Sequence, residues 1–242
     1  MLKRVKIDMD SRKEAILEAI VREYVEASVP VGSLILTEKY QFPFSSATIR
    51  AEMAELERLG FLTHPHTSAG RIPTEKGYRY YVNMMAEEEK LLAREELVAQ
   101  KRITSMQDRY EKQLETASEV ISDLTRNIGF AGLSGEIFYH GLRYLLSQPE
   151  FLDPIRILKA GELVDNLTRL IEEIPYSENP HIYIGSEIPV GKSAGCALVL
   201  SGFKAPSGHA GIVGVLGPMR MPYRHNLSVI SEVKSLLENK NG

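Results

Sequence analysis

Residues 45–73 read Ser45-Ser-Ala-Thr-Ile-Arg-Ala-Glu-Met-Ala-Glu-Leu-Glu-Arg-Leu-Gly-Phe-Leu-Thr-His-Pro-His-Thr-Ser-Ala-Gly-Arg-Ile-Pro73. The hydroxyl residues at the start favour a helix N-cap, and Gly60 is typical of the position just beyond a helix. The residues after Gly60 predict two short strands around a loop, with Pro65 and Pro73 limiting their length. A capped helix followed by a hairpin is the order that a winged helix-turn-helix requires.

Two further helices are predicted before this segment. Residues 11–27 place apolar side chains at helical spacing, and residues 30–32 (Pro-Val-Gly) break that pattern. Ser33 can then cap a second helix that runs to about Tyr40. A fourth helix is predicted after Thr74. These elements form a predicted N-terminal domain, residues 1–85.

The 45–59 helix presents two different faces in projection. Ile49, Met53 and Leu56 fall on the side that faces the domain core. The opposite side carries small residues and one cation, namely Ala47, Ala51, Ala54 and Arg58. Small side chains let a helix approach the floor of the DNA major groove, and an alanine methyl group can contact a thymine methyl group.

The N-terminal end of that helix is suited to DNA as well. Ser45, Ser46 and Thr48 lie where free N–H groups and the helix dipole favour a phosphate. Arg50 is near enough to this end to reach a base edge, and arginine suits bidentate contact with guanine. An ordinary amphipathic surface helix with hydroxyl caps explains the same pattern, so the helix alone does not decide between the two interpretations.

The loop after the helix favours the DNA-binding interpretation. It contains hydroxyl groups for phosphates, a glycine for a tight turn, and an arginine for the backbone or minor groove. A plain hairpin turn is the alternative, but the order of elements favours a wing. The predicted DNA-contacting residues are Ser45, Ser46, Ala47, Thr48, Arg50, Ala51, Arg58, His66, Thr67, Ser68 and Arg71.

A long connecting helix is predicted between the two halves of the chain, within a helical linker at 86–130. Its apolar residues recur at steps of three and four, which is typical of a coiled coil and of a possible dimerisation helix. A single helix packed on the second domain explains the spacing equally well. The residues in question are Ile103, Met106, Tyr110, Leu114, Ala117, Ile121, Leu124 and Ile128.

The remaining residues, 131–242, predict a small α+β domain. Gly129, Gly132 and Gly135 are expected to end the long helix. Further elements are expected as helices at 137–147, 162–174 and 225–238, and as strands at 182–184, 197–200 and 211–217. The fold class is therefore α+β.

Composition and charge set the broad class. Of the 242 residues, 43% are hydrophobic, so a folded core is expected, and the net charge of -3 gives no global basic field. Residues 1–82 carry 12 basic and 11 acidic residues, whereas the remainder is net acidic, the sign expected for an N-terminal DNA-binding domain. The single cysteine, Cys196, is expected to be buried and fits a reducing cytoplasm. No signal peptide or membrane span is predicted.

Signals for other chemistry are weak. Residues 190–193 (Val-Gly-Lys-Ser) are similar to a P-loop, but five residues separate Gly185 from Gly191 where the motif has four. His64 and His66 could hold a metal ion on one strand face, yet no cysteine or carboxylate motif accompanies them. No nucleophile, base and orienting group stand at a recognisable spacing. We therefore expect no enzyme activity, metal or cofactor.

Several of these runs resemble the heat-inducible transcription repressor HrcA family. The N-terminal matches are Pro30-Val-Gly-Ser33, the helix at 45–60, and Pro65-His-Thr-Ser-Ala-Gly-Arg-Ile-Pro-Thr-Glu-Lys-Gly-Tyr-Arg-Tyr-Tyr81; shorter matches follow at 146–153, 184–187 and 211–223. The resemblance implies a stress-response repressor of chaperone operons that binds an inverted-repeat DNA operator as a homodimer. It also implies control by a GroEL-type chaperonin and a GAF-like second domain.

The chain departs from the family in length. Family members are substantially longer. Residues 124–128 are followed after a few glycines by 138–151, whereas the family places the first part of its GAF-like domain and an inserted dimerisation domain between these two blocks. The 90–128 helix is the interface that we expect instead. The alternative function is a winged-helix regulator that senses a small molecule through its GAF-like domain.

Overall fold

Two units divide the chain, Met1–Ala86 and Glu87–Gly242. The structure, a computed structural model, describes residues 9–65, 70–85, 93–104, 110–189 and 195–238. Each unit has its own buried core, and the two are described separately below.

Four helices lie in the described part of the first unit, and all four were predicted from sequence. Side-chain oxygens of Asp10, Ser45 and Thr74 cap the first, third and fourth helices by accepting hydrogen bonds from N–H groups of the first turn. The helices are α1 (Ser11–Ala27), α2 (Ser33–Tyr40), α3 (Ser46–Arg58) and α4 (Glu75–Met84).

Helix α3 packs with the face that its periodicity predicts. Ile49, Met53 and Leu56 are buried, and α3 lies against α1 and α2. The core that they join is made by the apolar face of α1 together with Leu36, Phe61 and Tyr78. Burial of one face fixes which side of α3 points outward.

A short antiparallel ladder follows α3. Strand β1 (Leu62–Thr63) pairs with β2 (Ile72–Pro73). Val31 extends this ladder, because Val31 and Arg71 exchange two backbone hydrogen bonds of 2.9 Å. The loop before α2 is thereby attached to the residue that precedes β2.

The second unit is built on a five-stranded antiparallel sheet in the order β4-β3-β7-β6-β5. The strands are β3 (Ile128–Leu133), β4 (Glu136–His140), β5 (His181–Ile184), β6 (Cys196–Lys204) and β7 (Ala210–Pro218). The helices are α5 (Ala93–Thr104), α6 (Tyr110–Thr125), α7 (Leu142–Leu146), α8 (Pro154–Asp165), α9 (Leu167–Glu173) and α10 (Tyr223–Glu238), with 3-10 turns at Pro149–Leu152 and Gly185–Glu187.

Helices cover the sheet on both faces. Helices α6 and α10 pack on one face, where Gly129 lets α6 approach β3 closely. On the other face, Phe130, Leu198 and Leu216 join a core with buried residues of α7, α8 and α9. Cys196 belongs to this core, and burial raises the pKa of its thiol to about 12.

The prediction of one long connecting helix is wrong. Arg102 on α5 donates to Glu119 on α6 at 2.8 Å and to Asp123 at 2.8 Å. In one continuous helix, 17 residues would separate Arg102 from Glu119 by about 25 Å. The stretch therefore folds back on itself as two helices.

The same apolar residues are buried within the second unit. Ile103, Leu114, Ala117 and Ile121 are at most 2% exposed, and α6 packs on β3 and α10. Packing on the second unit therefore accounts for the three-and-four spacing, and these side chains are not available to a partner chain. The dimer interface expected along 90–128 therefore has no exposed apolar residues among these four positions. Met106 lies outside the described residues.

Three other local predictions need correction. Gly129 and Gly132 do not end a helix but lie in β3, because α6 already ends at Thr125. Residues 137–147 form β4 and then α7 rather than one helix, since residues 136–140 pair with β3. The helix expected at 162–174 is divided between α8 and α9 at Asn166. The remaining predicted strands and the C-terminal helix are confirmed within a few residues.

Among the described residues, no helix combines the length and apolar character needed to cross a membrane.

Candidate nucleic-acid interface

The outward face of α3 is smooth and exposed. Ala47, Ala51 and Ala54 are all exposed, on the side opposite the buried Ile49 and Leu56. No side chain on this stripe extends beyond a methyl group until Arg58, so the helix backbone can approach a partner surface closely.

Arg50 flanks the alanine stripe. Its side chain is exposed, and its guanidinium makes no hydrogen bond or ion pair with another described residue. Within the described residues its N–H donors are therefore unpaired, which suits a bidentate contact with an external acceptor.

The hydroxyl groups at the start of α3 already have partners. Ser45 Oγ caps the helix by accepting from Thr48 N at 3.2 Å and lies 3.0 Å from Thr48 Oγ1. Ser46 Oγ lies 3.1 Å from Ser33 Oγ and so links α3 to the start of α2. The N–H groups of Ser46 and Ala47 have no intrahelical acceptor, so they can bind a phosphate.

Arg58 is held by its own helix. Its guanidinium donates two hydrogen bonds to the carboxylate of Glu55, at 2.8 and 2.6 Å, and this pair lowers the pKa of Glu55. Both side chains are exposed enough for water to screen the pair. Arg58 can contact DNA only by exchanging this partner.

The predicted wing is described only at its ends. His66, Thr67 and Ser68 lie outside the described residues. Arg71 is described, and its Nε donates to the carboxylate of Glu57 at 2.8 Å. Its side chain is only 22% exposed, so Arg71 is held against α3 rather than free in solvent.

Glu57 is a residue whose role sequence patterns did not indicate. One carboxylate oxygen accepts from Arg71, and the other bonds to His64 Nδ1, just after β1. The hydrogen bond from His64, together with the charge of Arg71, lowers the pKa of Glu57. A single carboxylate on α3 thus holds both ends of the hairpin. Glu57 and Arg71 are 14 residues apart, so no helix or strand periodicity predicts their contact.

A second carboxylate of α3, that of Glu52, forms ion pairs with two basic residues of α1. Glu52 pairs with Lys13 at 3.1 Å and with Arg12 at 3.4 Å, both from the first turn of α1. Arg12 also lies over the ring of Phe44, 5.0 Å from its centroid. The separation of about forty residues along the chain explains why sequence reasoning missed this cluster.

The two predicted arginines face one groove. A groove of about 630 Å³ runs beside α3, and its lining includes Ser33, Leu34, Arg50, Met53 and Arg71. Arg50 comes from α3 and Arg71 from the residue before β2, so only the packing of the hairpin on α3 brings the two cations together. The groove thus holds two guanidinium groups, of which that of Arg71 is paired with Glu57.

A group in the second unit has the residue types of a hydrolase triad. Ser118 Oγ lies 2.7 Å from His140 Nδ1, and His140 Nε2 lies 3.5 Å from Glu119. Ser118 is fully buried, however, and its hydroxyl donates to the carbonyl oxygen of Glu115 at 2.6 Å. A hydroxyl group without access to substrate cannot act as a nucleophile. The described residues also contain no cluster of three or more side chains that could hold a metal ion.

Comparison with known proteins identifies the family. A family model described as the HrcA protein C terminal domain matches residues 78–226, more than half of the chain. The heat-inducible transcription repressor HrcA of Carboxydothermus hydrogenoformans is 41% identical over 161 residues, which cover 64% of this chain and 46% of the relative. The corresponding protein of Clostridium perfringens is 46% identical over 119 residues, covering 49% of this chain and 35% of the relative.

The chain thus spans about half or less of the relatives that it matches at these identities. The HrcA of Natranaerobius thermophilus aligns from end to end, at 24% identity over 331 residues and 96% of both chains. Because this chain has 242 residues, at least 89 aligned positions have no counterpart in it. The predicted shortening relative to the family is confirmed.

A solved structure supports the fold. A crystal structure of a hypothetical protein matches with a TM-score of 0.75, covering 95% of this chain and 98% of its own at 22% identity. The match of the family model and the repeated similarity to named relatives agree with each other. The chain belongs to the heat-inducible transcription repressor HrcA family.

Proposed function

We propose that the first unit binds double-stranded DNA as a winged helix-turn-helix, with α3 in the major groove. The observation that carries this proposal is the groove where Arg50 and Arg71 meet beside the exposed alanine stripe. Arg50 reads a base edge, Ala47 and Ala51 allow close approach, and the first turn of α3 binds a phosphate. Ser45, Ser46 and Thr48 position that first turn.

The wing contacts the DNA backbone or minor groove in this proposal. Arg71 stands at its root, held by Glu57, while His66, Thr67 and Ser68 supply further polar contacts. Such contacts fix the register of the protein on the duplex and carry little sequence information. Arg58 contributes a phosphate contact when it leaves Glu55.

The proposed biological role follows from the family. The relatives are named heat-inducible transcription repressors, so this chain represses heat-shock, or chaperone, operons. A homodimer binds an inverted-repeat operator whose half-sites lie about one helical turn, or a multiple of it, apart. A GroEL-type chaperonin keeps the repressor active, and the second unit is a reduced GAF-like domain.

The test is footprinting on genomic DNA with and without the chaperonin. We expect protection of an inverted repeat upstream of chaperone genes, and stronger protection when chaperonin is present. Protection of random sites only, or no protection, would contradict the proposal. Protection of the inverted repeat that is the same with and without chaperonin would contradict only the proposed control by chaperonin and would leave the proposed DNA binding intact.

Sensing of a small molecule is the second candidate function. A cleft between the β3–β4 hairpin and α9 is lined by Ile137, Ile171, Ile174 and Tyr176, among others, with Glu136 and Glu172 also in the lining. Its volume of about 160 Å³ is below the 300–1,000 Å³ of typical ligand pockets. The geometry therefore favours DNA binding as the main activity, and a thermal-shift screen with metabolites tests the cleft.

A further inference from the structure

The exposed apolar side chains of the first unit lie close together in the sequence. Among its described residues, the exposed large hydrophobic residues are Val29, Leu34 and Ile35, with exposed fractions of 53%, 64% and 37%. Leu34 and Ile35 belong to the first turn of α2, whose buried side is formed by Ser33 and Leu36. Single exposed apolar residues are common on proteins, so the surroundings of these two decide what they do.

Leu34 and Ile35 line the same groove as Arg50 and Arg71, and we call these two apolar residues the α2 wall. The described residues that line the groove include no acidic side chain. The guanidinium of Arg71 is paired with Glu57, whereas that of Arg50 has no partner among the described residues. The groove therefore suits an anionic partner that also carries apolar groups.

A contact between two hydroxyl groups fixes the start of α2 on the start of α3. Ser33 Oγ lies 3.1 Å from Ser46 Oγ, and these serines are the first residues of their helices. Arg50 follows Ser46 by four residues, so it lies on the same side of α3, one turn further along. Because Leu34 adjoins Ser33, the α2 wall begins at the end of α3 that is proposed to approach DNA.

Double-stranded DNA combines the two kinds of group that this groove suits. The C5-methyl group of thymine is an apolar group on the base edges of the major groove, and apolar side chains contact it. The base acceptors that arginine binds, such as guanine O6 and N7, lie in the same groove, and phosphates border it. A leucine and an unpaired arginine in one groove therefore match a thymine next to a base that presents acceptors.

We propose that Leu34 contacts the C5-methyl group of a thymine in the bound operator, beside the base that Arg50 reads. Leu34 is not among the DNA contacts predicted from the sequence, and this contact makes α2 a second determinant of operator specificity. The inference rests on the proposed DNA binding by α3. If the α2 wall binds a protein or a small molecule instead, Leu34 variants will bind DNA like the native chain.

The first experiment replaces single thymines of the operator by uracil, which removes only the C5-methyl group. The native chain should bind about fourfold more weakly when the contacted thymine is replaced, the effect of returning one methyl group to water. Leu34→Ala should bind the unmodified operator about three- to tenfold more weakly and should no longer respond to uracil at that position. Val29→Ala is the matched control, because Val29 is exposed but does not line the groove, and it should respond like the native chain.

The uracil scan separates this inference from the proposed function. A native chain that binds no operator would overturn both. If the native chain binds the operator but Leu34→Ala responds to uracil at every position as the native chain does, only the Leu34 contact is refuted. Thymines that contact the alanine stripe should remain sensitive in both proteins, which shows that Leu34→Ala is folded and bound in the same register.

The second experiment uses a variant that gains a contact, so that a loss of folding cannot imitate the expected result. Leu34→Lys places an ammonium group near the phosphates that border the major groove. The slope of log affinity against log salt concentration should become steeper by about 0.9, on operator and random DNA alike. Val29→Lys adds the same charge outside the groove and should change the slope by less than half as much. An unchanged slope for Leu34→Lys would place the start of α2 away from DNA and refute the contact.

Discussion

The carboxylate of Glu57, near the end of α3, accepts a 2.8 Å hydrogen bond from Arg71 Nε at the root of the hairpin. The backbone of Arg71 is paired with Val31, which precedes α2. Through this one residue, the hairpin, α3 and the start of α2 are held together. The proposed DNA contacts depend on that arrangement, because Arg71 faces the same groove as Arg50.

Replacement of Glu57 by Gln should loosen the hairpin without unfolding the unit. The pair is partly exposed, so its loss should cost about 0.2–1 kcal/mol in free energy of unfolding. Affinity for operator DNA should fall several-fold, because Arg71 and His64 lose their shared partner. Glu26→Gln is the matched control in the same unit, since Glu26 is exposed on α1 and is not among the proposed DNA contacts. Fluorescence anisotropy with labelled operator measures both variants; equal affinities would contradict the positioning role.

The Glu57 contribution should depend on pH in a defined direction. Because His64 and Arg71 lower its folded pKa, the stabilisation is complete above the ordinary pKa of a glutamate. It disappears as the pH falls through the lower folded value. Hydrogen exchange of the Val31 and Arg71 N–H groups reports this locally. Native protein should protect them better than Glu57→Gln at about pH 6, and the difference should shrink as the pH is lowered below the ordinary pKa of a glutamate. A difference that grows on acidification would argue against this origin.

Arg50→Ala should change which sequences are bound. Loss of a bidentate base contact should cost about 1–3 kcal/mol at one base position and relax discrimination there. Arg71→Ala, by contrast, should weaken specific and random DNA alike and reduce the salt slope by about 1. Titrations of operator and point-substituted operators at several salt concentrations separate the two effects. If both variants bind like the native chain, the site assignment is wrong.

The alanine stripe should tolerate larger residues in the free protein but not on DNA. Ala51 is exposed, so Ala51→Leu should change the free energy of unfolding by less than about 0.5 kcal/mol. A side chain that holds α3 away from the groove floor should reduce operator affinity by at least about tenfold. Thr168→Leu, at an exposed position on α9, is the control. Undiminished binding by Ala51→Leu would place α3 outside the groove.

Two helical glycines should respond in opposite ways to alanine. A Cβ at Gly77 would collide with the carbonyl oxygen of Phe61, so Gly77→Ala should destabilise the first unit by about 1–3 kcal/mol. A Cβ at Gly161 in α8 meets nothing within 4 Å, so Gly161→Ala should stabilise the second unit by about 0.5–1 kcal/mol. Urea unfolding measures both. A stabilising Gly77→Ala would contradict the close packing of α4 on Phe61, and a destabilising Gly161→Ala would contradict the open space beside Gly161.

Local patterns predicted the first unit well. The burial of Ile49, Met53 and Leu56 and the caps at Ser45 and Thr74 depend on neighbours three or four residues away, and sequence spacing reports those directly. The same logic failed after Thr125. The prediction of one helix at 137–147 is wrong because residues 136–140 pair with β3 as a strand. Ile137, Phe138 and Tyr139 also have high β propensity, which the helical interpretation of this stretch did not use.

Sequence alone determined the helices of the first unit, the outward alanine stripe and the position of Arg50, because periodicity along one helix settles which side is buried. Tertiary structure decided that α5 and α6 fold back as two helices and that Glu57 anchors Arg71. Both contacts join groups that are far apart in the chain, and spacing along the sequence carries no information about such contacts.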